Sequence, residues 1–215
     1  MIWVAWRQAR GAALGLAGIL AAYGVLAGVE RWRAPSLDGL TAGLSPYLLV
    51  FIALLLGAPL LAREYEQGTH ELAWTQSVTR RRWLALRLGM HVGLAVSASV
   101  VMQTLLNAVV GVRPATIPVP GTDYFLGHGF VPYALAVFTV VAAATLGAVL
   151  RRLLPTVGGA IAVVLAVTGL LDVVRFGDTG WAARFWPAQL VMSAALLALA
   201  GGLAAVCFRL AEGRS

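Results

Sequence analysis

Apolar residues are concentrated in six stretches of the chain, and each stretch is almost free of charged side chains. The stretches cover residues 11–29, 46–62, 84–111, 131–150, 153–171 and 187–208. A helix needs roughly 20 mostly apolar residues to cross the hydrocarbon core of a bilayer. The pattern therefore predicts an all-α, polytopic membrane protein with six transmembrane helices, organised as a single domain over residues 1–215.

Short polar segments mark the ends of the predicted spans. Residues 1–10 contain two tryptophans and two arginines, which suit the headgroup layer and predict a short interfacial helix before the first span. Only Arg151 and Arg152 separate the fourth stretch from the fifth, so these two helices must form a tight hairpin. Pro155 then falls in the first turn of the fifth helix, where proline is tolerated.

The composition excludes an ordinary soluble protein. Hydrophobic residues make up 60% of the 215 residues and charged residues 12%, whereas about 25% of a soluble domain is charged. All 16 basic residues are arginine. A P-loop ATPase needs a lysine to reach the β- and γ-phosphates of ATP, so this chain cannot be one by itself. Any ATP-driven work would require a second polypeptide.

The distribution of arginine predicts the orientation of the chain in the membrane. With the N-terminus in the cytoplasm, 11 arginines fall on the cytoplasmic side and 5 on the outer side. Because short cytoplasmic loops are enriched in basic residues, both termini are predicted to be cytoplasmic. The net charge of +7 then faces anionic lipid of the inner leaflet. Binding to nucleic acid is therefore not needed to explain the charge.

The titratable residues do not form a catalytic or metal-binding motif. In this topology His70 falls in the cytoplasm, His91 in the membrane and His128 outside, so the three cannot share one metal ion. None of the nine acidic residues lies well inside a predicted span, which argues against a proton-coupled antiporter, and only His91 could replace the missing carboxylate. We expect neither enzymatic activity nor a cofactor bound by this chain.

The most informative polar segment follows the second stretch, at residues 63–83. It reads R-E-Y-E-Q-G-T-H-E-L-A-W-T-Q-S-V-T-R-R-R-W and is the one sizeable loop predicted on the cytoplasmic side. Thr69 can cap a short helix in which Glu71 suits the positive N-terminal end, and Thr79 can cap the third span. The charge pattern by itself favours a solvated connector with a cluster of arginines on the cytoplasmic side.

A longer stretch around this segment carries a family resemblance. Residues 57–83, G-A-P-L-L-A followed by the segment above, closely resemble the connection between the second and third membrane helices of ABC-2 type transporter permeases, including actinobacterial subunits of type V exporters. The shared pattern is an R-E-x-E-x-G-T core, a short helix, and a T-Q-x-V-x-R-x-x-W stretch that opens the third span. The N-terminal W-V-A-W-R-Q run and the plan of six spans extend the similarity along the chain.

The resemblance implies both partners and activity. Such a permease pairs with a second permease protomer, as a homo- or heterodimer, and with two copies of a separate ABC-type ATPase that uses ATP and Mg²⁺. It exports a hydrophobic or amphipathic substrate, such as a drug, lipid or peptide, across the bacterial cytoplasmic membrane. The loop after the second span is expected to contact the ATPase. The residues that the resemblance places in this coupling element are Arg63, Glu64, Glu66, Gly68, Thr69, Glu71, Gln76, Arg80 and Arg81.

The resemblance also implies a substrate path between protomers, lined by spans two and five. The corresponding candidates are Phe51, Leu55, Pro59, Ile161, Val164 and Thr168. A second candidate wall is a ridge of polar residues, Ser99, Gln103 and Asn107, spaced four residues apart on the third span. Polar side chains inside a membrane either serve a transport path or hydrogen-bond between helices, and the pattern fits both interpretations.

Two other functions stay compatible with these residues. The chain could be a secondary, ion-coupled transporter of small molecules, or a membrane anchor or immunity-type subunit that binds an ATPase and transports little. Neither alternative requires a P-loop lysine in this chain. Transport driven by a proton gradient would indicate the first, and an ATPase complex without efflux would indicate the second.

Overall fold

The computed structural model describes residues 2–33, 40–68, 79–109, 122–175 and 181–212. These residues form seven helices and contain no β-strand. In chain order the helices are α1 (Ile2–Arg33), α2 (Leu40–Glu66), α3 (Arg80–Val109), α4 (Thr122–Gly127), α5 (Val131–Leu150), α6 (Leu153–Arg175) and α7 (Trp181–Glu212). The short α4 precedes the tight turn that leads into α5.

Six of the helices are long and apolar enough to cross a membrane. Their spanning segments are Ala9–Glu30, Gly43–Glu66, Arg80–Ala108, Val131–Leu150, Leu153–Leu171 and Phe185–Ala211. The predicted all-α architecture with six spans is therefore confirmed. Residues 2–8 belong to the same helix as the first span, so the predicted interfacial segment at residues 1–10 continues that helix without a break. The predicted coupling helix falls on residues 69–78, outside the described residues.

Helix α5 lies at the centre of the bundle. It packs against α2, α3, α6 and α7, and 72% of its spanning window is buried, compared with 17% for α1 and for α6. Helix α1 packs mainly on α3. Since lipid tails are as apolar as leucine, burial of apolar surface does not by itself drive helices together in a membrane. Close packing of small residues must contribute instead, and α5 is rich in alanine.

The closest helix contact joins α2 and α5. A Cβ atom at Gly57 would lie 2.6 Å from the carbonyl oxygen of Val140 and 2.9 Å from its Cα atom. About two turns further along α5, a Cβ atom at Gly147 would lie 3.1 Å from the backbone nitrogen of Ala62. Ala58 and Ala143 complete this contact and are fully buried. Two glycines, one on each helix, therefore let the backbones of α2 and α5 approach each other at two levels.

The ends of several helices follow the sequence predictions. Helix α5 ends at Leu150 and α6 begins at Leu153, which confirms the tight hairpin. Arg151 turns the chain in a left-handed conformation, with φ 56°, and its N–H donates to the carbonyl oxygen of Gly147 at 3.0 Å. At the start of α3, the hydroxyl of Thr79 accepts a long hydrogen bond of 3.4 Å from the N–H of Arg82, as expected of a capping residue.

The α2–α5 contact yields a direct test. We expect Gly57→Ala to lower the free energy of unfolding by about 1–3 kcal/mol, because the added methyl group meets backbone atoms that cannot move without shifting a helix. Gly201→Ala is the matched control, since a Cβ atom there meets nothing within 4 Å. Thermal unfolding of both variants in detergent measures the difference. Equal unfolding temperatures would contradict the close contact.

Candidate functional site

One face of α2 forms an exposed stripe along the bundle. The stripe consists of Tyr47, Phe51, Leu55, Pro59 and Arg63, which follow one another at intervals of four residues. Such residues share one helix face. The first three are 63%, 52% and 49% exposed. At 1.5 Å per residue the stripe is about 24 Å long, which is most of the roughly 30 Å hydrocarbon thickness of a bilayer.

Two grooves lie along this stripe, between α2 and α6. The Arg63 groove has a volume of about 450 Å³ and is walled by α1, α2 and α6. The Tyr47 groove has a volume of about 460 Å³ and is walled mainly by α2 and α6, with Leu126 and Leu135 from α4 and α5. Phe51, Leu54 and Ile161 line both grooves. The grooves are therefore neighbours along one continuous face.

The path residues expected from spans two and five all lie on this face. Leu55 and Pro59 line the Arg63 groove, Val164 and Thr168 line the Tyr47 groove, and Phe51 and Ile161 line both. Each volume falls within the roughly 300–1,000 Å³ typical of small-molecule sites. The walls of both grooves are predominantly apolar, and Arg63 is the one charged side chain among the described residues that line them.

The polar ridge of α3 lies elsewhere in the bundle. The hydroxyl of Ser99 is buried and donates to the carbonyl oxygen of Ala95 at 2.9 Å. The amide of Gln103 donates to the carbonyl oxygen of Gly129, at the turn before α5, at 3.2 Å. Asn107 is partly buried further along α3. None of the three lines the Arg63 or Tyr47 groove. Ser99 bonds within α3, and Gln103 bonds to the turn before α5.

Gln189 is a polar residue whose importance the sequence analysis missed. Its side chain is fully buried, and its Oε1 atom accepts hydrogen bonds from the N–H groups of Phe130 and Val131 at 2.9 and 2.8 Å. Its Nε2 atom donates to the carbonyl oxygen of Phe125 at 2.9 Å. Gln189 thus caps the N-terminus of the central helix from α7. A lone glutamine inside an apolar stretch was the available signal.

Glu30 joins the end of α1 to the start of α2. Its buried carboxylate accepts a hydrogen bond from the backbone N–H of Thr41 at 3.0 Å and another from the hydroxyl of the same residue. The hydroxyl of Tyr23 donates to the carbonyl oxygen of Thr41 at 3.1 Å. A carboxylate at the first turn of a helix also suits the positive end of the helix dipole. These contacts position α2, which carries the groove face.

The expected coupling residues that the structure describes lie near the C-terminal end of α2. Arg63 faces the Arg63 groove, whereas Glu64 forms an ion pair with Arg87 of α3. Glu66 and Gly68 are exposed, and Gly68 has a φ of 68°, which suits the residue that ends a helix. Arg80 and Arg81 begin α3, beside this end of α2. Thr69, Glu71 and Gln76 lie outside the described residues.

The Glu64–Arg87 pair holds α2 and α3 together where they approach the intervening segment. The two side chains are 15% and 13% exposed. The guanidinium of Arg87 also lies over the ring of Trp83, 4.8 Å from its centroid, an arrangement that favours a cation. An arginine inside a predicted span needs such a partner, because an unpaired charge in the membrane is costly.

Comparison with known protein families identifies the family of this chain. The family model described as ABC-2 membrane transporter related matches residues 29–175, which is more than half of the 215 residues. The chain belongs to this family. The matched residues include α2 to α6, and thus both groove walls apart from α1, together with the segment between α2 and α3. A comparison with curated proteins finds no matching relative.

Membership in the ABC-2 family makes the chain a multi-pass membrane permease, a transport component that is typically non-catalytic. It also implies an ABC-type ATPase as the partner. The structure of this ABC-2 permease brings the expected path residues together on one face and places the described coupling residues at one end of the same helix. It separates the α3 ridge from both.

The ion pair of the permease can be tested by exchanging its charges. We expect Glu64→Arg and Arg87→Glu each to lower the unfolding temperature in detergent, because each leaves two like charges in contact. The double exchange should restore most of the loss, with a coupling free energy of about 1–3 kcal/mol. Arg82→Glu, at an exposed position of the same helix, serves as control. Additive effects in the double variant would show that the pair contributes nothing.

Proposed function

We propose that the chain is the permease subunit of an ATP-driven exporter, in which two protomers and two copies of a separate ABC-type ATPase form the working complex. The observation that carries this proposal is the exposed α2–α6 face, on which two apolar grooves follow one stripe for about 24 Å. In a bilayer lipid can cover an exposed apolar face, but this face is concave and carries the residues that the family resemblance places on a path between protomers. A path that forms against a second protomer accounts for it.

The lining of the grooves supports an apolar or amphipathic substrate. Phe51, Leu55 and Ile161 are exposed large hydrophobic residues on this face, and sites of this volume take drug-sized molecules or parts of lipids. A hydrophobic drug, a lipid or an apolar peptide meets these requirements. Export from the cytoplasmic side agrees with both termini and the α2–α3 segment lying in the cytoplasm, as the arginine distribution predicts.

The mechanism we propose uses the end of α2 beyond Pro59 as a rigid connection. Glu66 lies three residues beyond Arg63, so a movement of this end of α2 also moves the Arg63 groove. The Glu64–Arg87 pair transmits the movement to α3. Closure of the ATPase dimer on ATP and Mg²⁺ would shift the segment at residues 63–83, and the grooves would alternate between openings on the two sides of the membrane.

The first test is the composition of the native complex. The chain, expressed with its native genomic neighbourhood and purified in mild detergent, should co-purify with a protein that contains a P-loop lysine, in near-equal amount by mass spectrometry.

Reversal of Glu66 and Glu71 to arginine should abolish stimulation of ATP hydrolysis while membrane insertion stays intact, because both acids are proposed to face the ATPase. Glu212→Arg, at the end of α7, is the matched control.

Recovery of the chain alone from cells that express such an ATPase would contradict the exporter and would favour a secondary transporter. Recovery of the complex with no efflux after reconstitution would favour the anchor or immunity-type subunit. Unchanged stimulation in the Glu66 and Glu71 double variant would remove the coupling assignment.

The substrate path is tested by cysteine labelling. Cys207, the single native cysteine, is buried, and Cys207→Ala provides a background without thiols. In the complex with its ATPase, Leu55→Cys and Ile161→Cys should react with a membrane-permeant maleimide at rates that change severalfold on addition of ATP, because the grooves open and close. Leu190→Cys lies at an exposed position of α7 outside both grooves and should not respond. Identical responses at all three positions would exclude the proposed path.

A further inference from the structure

The Arg63 groove combines an apolar wall with a positive end. Along the α2 stripe, Phe51, Leu55 and Pro59 are followed by the exposed guanidinium of Arg63. Among the described residues, this guanidinium has neither an ion-pair partner nor a hydrogen-bond partner. No acidic residue contributes to the described lining of the groove. The guanidinium thus borders the groove, and no described acidic side chain lines the groove beside it.

A second feature adds to the positive character of the same end. Helix α6 begins at Leu153, and Leu153 lines the Arg63 groove. The N-terminus of this helix of 23 residues carries the positive end of the helix dipole. The exposed side chain of Arg152 immediately precedes it. Arg63 and the N-terminus of α6 thus lie at one end of a groove whose remaining wall is apolar.

This combination has a specific chemical complement. A guanidinium group recognises carboxylate and phosphate oxygens through paired N–H donors, and its attraction to an anion is stronger next to an apolar wall than in bulk water. The chain of an amphiphile would lie along Phe51, Leu55 and Pro59, and its charged head would reach Arg63. A neutral or cationic molecule would gain the apolar contact and lose the charged one.

We propose that the Arg63 groove selects amphipathic anions as the exported substrates, with Arg63 as the contact for a carboxylate or phosphate head. This inference rests on the proposed exporter function and narrows its substrate class. It also separates Arg63 from the other coupling residues, since its side chain lines the groove while Glu66 is exposed beyond it.

The test measures binding to the permease without its ATPase. The purified full chain is placed in nanodiscs of zwitterionic phosphatidylcholine and irradiated with palmitic acid that carries a photoreactive diazirine, or with the hexadecanol that carries the diazirine at the same carbon. Mass spectrometry of the peptides then compares labelling of the α1, α2 and α6 walls. We expect the acid to label these peptides about tenfold more than the alcohol, equivalent to ~1.4 kcal/mol.

The variants assign this selectivity to one side chain. Arg63→Gln should bring the ratio of acid to alcohol labelling close to one, while labelling by the alcohol persists and shows that the groove is intact. Arg63→Lys should keep part of the selectivity. Arg209→Gln removes the same charge from an exposed position of α7, on the same predicted side of the membrane, and should leave the ratio unchanged.

Any of three results would overturn the proposal. The first is equal labelling by acid and alcohol in the native chain, and the second is an unchanged ratio in Arg63→Gln. The third is an equal loss of the ratio in Arg209→Gln, which would indicate that selectivity comes from the overall positive charge of the chain. Because the ATPase is absent, the outcome is independent of the exporter assembly. Loss of selectivity with the ATPase still co-purifying would reject only the anion proposal. Selectivity without any ATPase partner would reject only the exporter.

Discussion

The close approach of α2 and α5 is the contact on which the arrangement of the bundle depends. Gly57 and Gly147 bring the two backbones within van der Waals distance at two levels, where side chains of any size would hold them apart. In a membrane this packing has to supply much of what the hydrophobic effect supplies in water. This packing also determines the rotation of α2 about its own axis. With Gly57, Ala58 and Ala62 turned toward α5, the stripe from Tyr47 to Arg63 must face away from the core.

The groove face is therefore a consequence of core packing. The same helix contributes small residues to a buried contact and large apolar residues to an exposed surface, and α6 completes the surface because the Arg151 turn places it beside α5 and α2. The open side of both grooves is a face of the monomer that only lipid, substrate or another chain can cover. The dimeric path that we propose would use that face without any change to the interior of the bundle.

The sequence predicted the number of spans and their ends well, because crossing a bilayer imposes a length and a composition that single residues reveal. It could not predict helix rotation: leucine that faces lipid and leucine that faces the core look alike, so the path residues on spans two and five came from a family resemblance alone. The sequence also could not predict contacts between residues that are far apart in the chain. Glu64 and Arg87 are 23 positions apart, and Gln189 caps a helix that begins 58 positions earlier.

The polar residues show why position along the chain does not reveal a role. Ser99 and Gln103 form a regular ridge that suggests a pore, yet their hydrogen bonds end on backbone groups inside the bundle. Arg63 lies in a loop-like run of charges that suggests a partner surface, yet its side chain borders a groove. The two cases differ in the free-energy cost of leaving the polar group without a partner. Buried hydroxyl and amide groups are stabilised by partners within the protein, as the hydroxyl of Ser99 and the amide nitrogen of Gln103 are, whereas an exposed guanidinium at the mouth of a groove can stay hydrated. Polar groups of the first kind stabilise the bundle, and we propose that Arg63, a group of the second kind, selects what enters the groove.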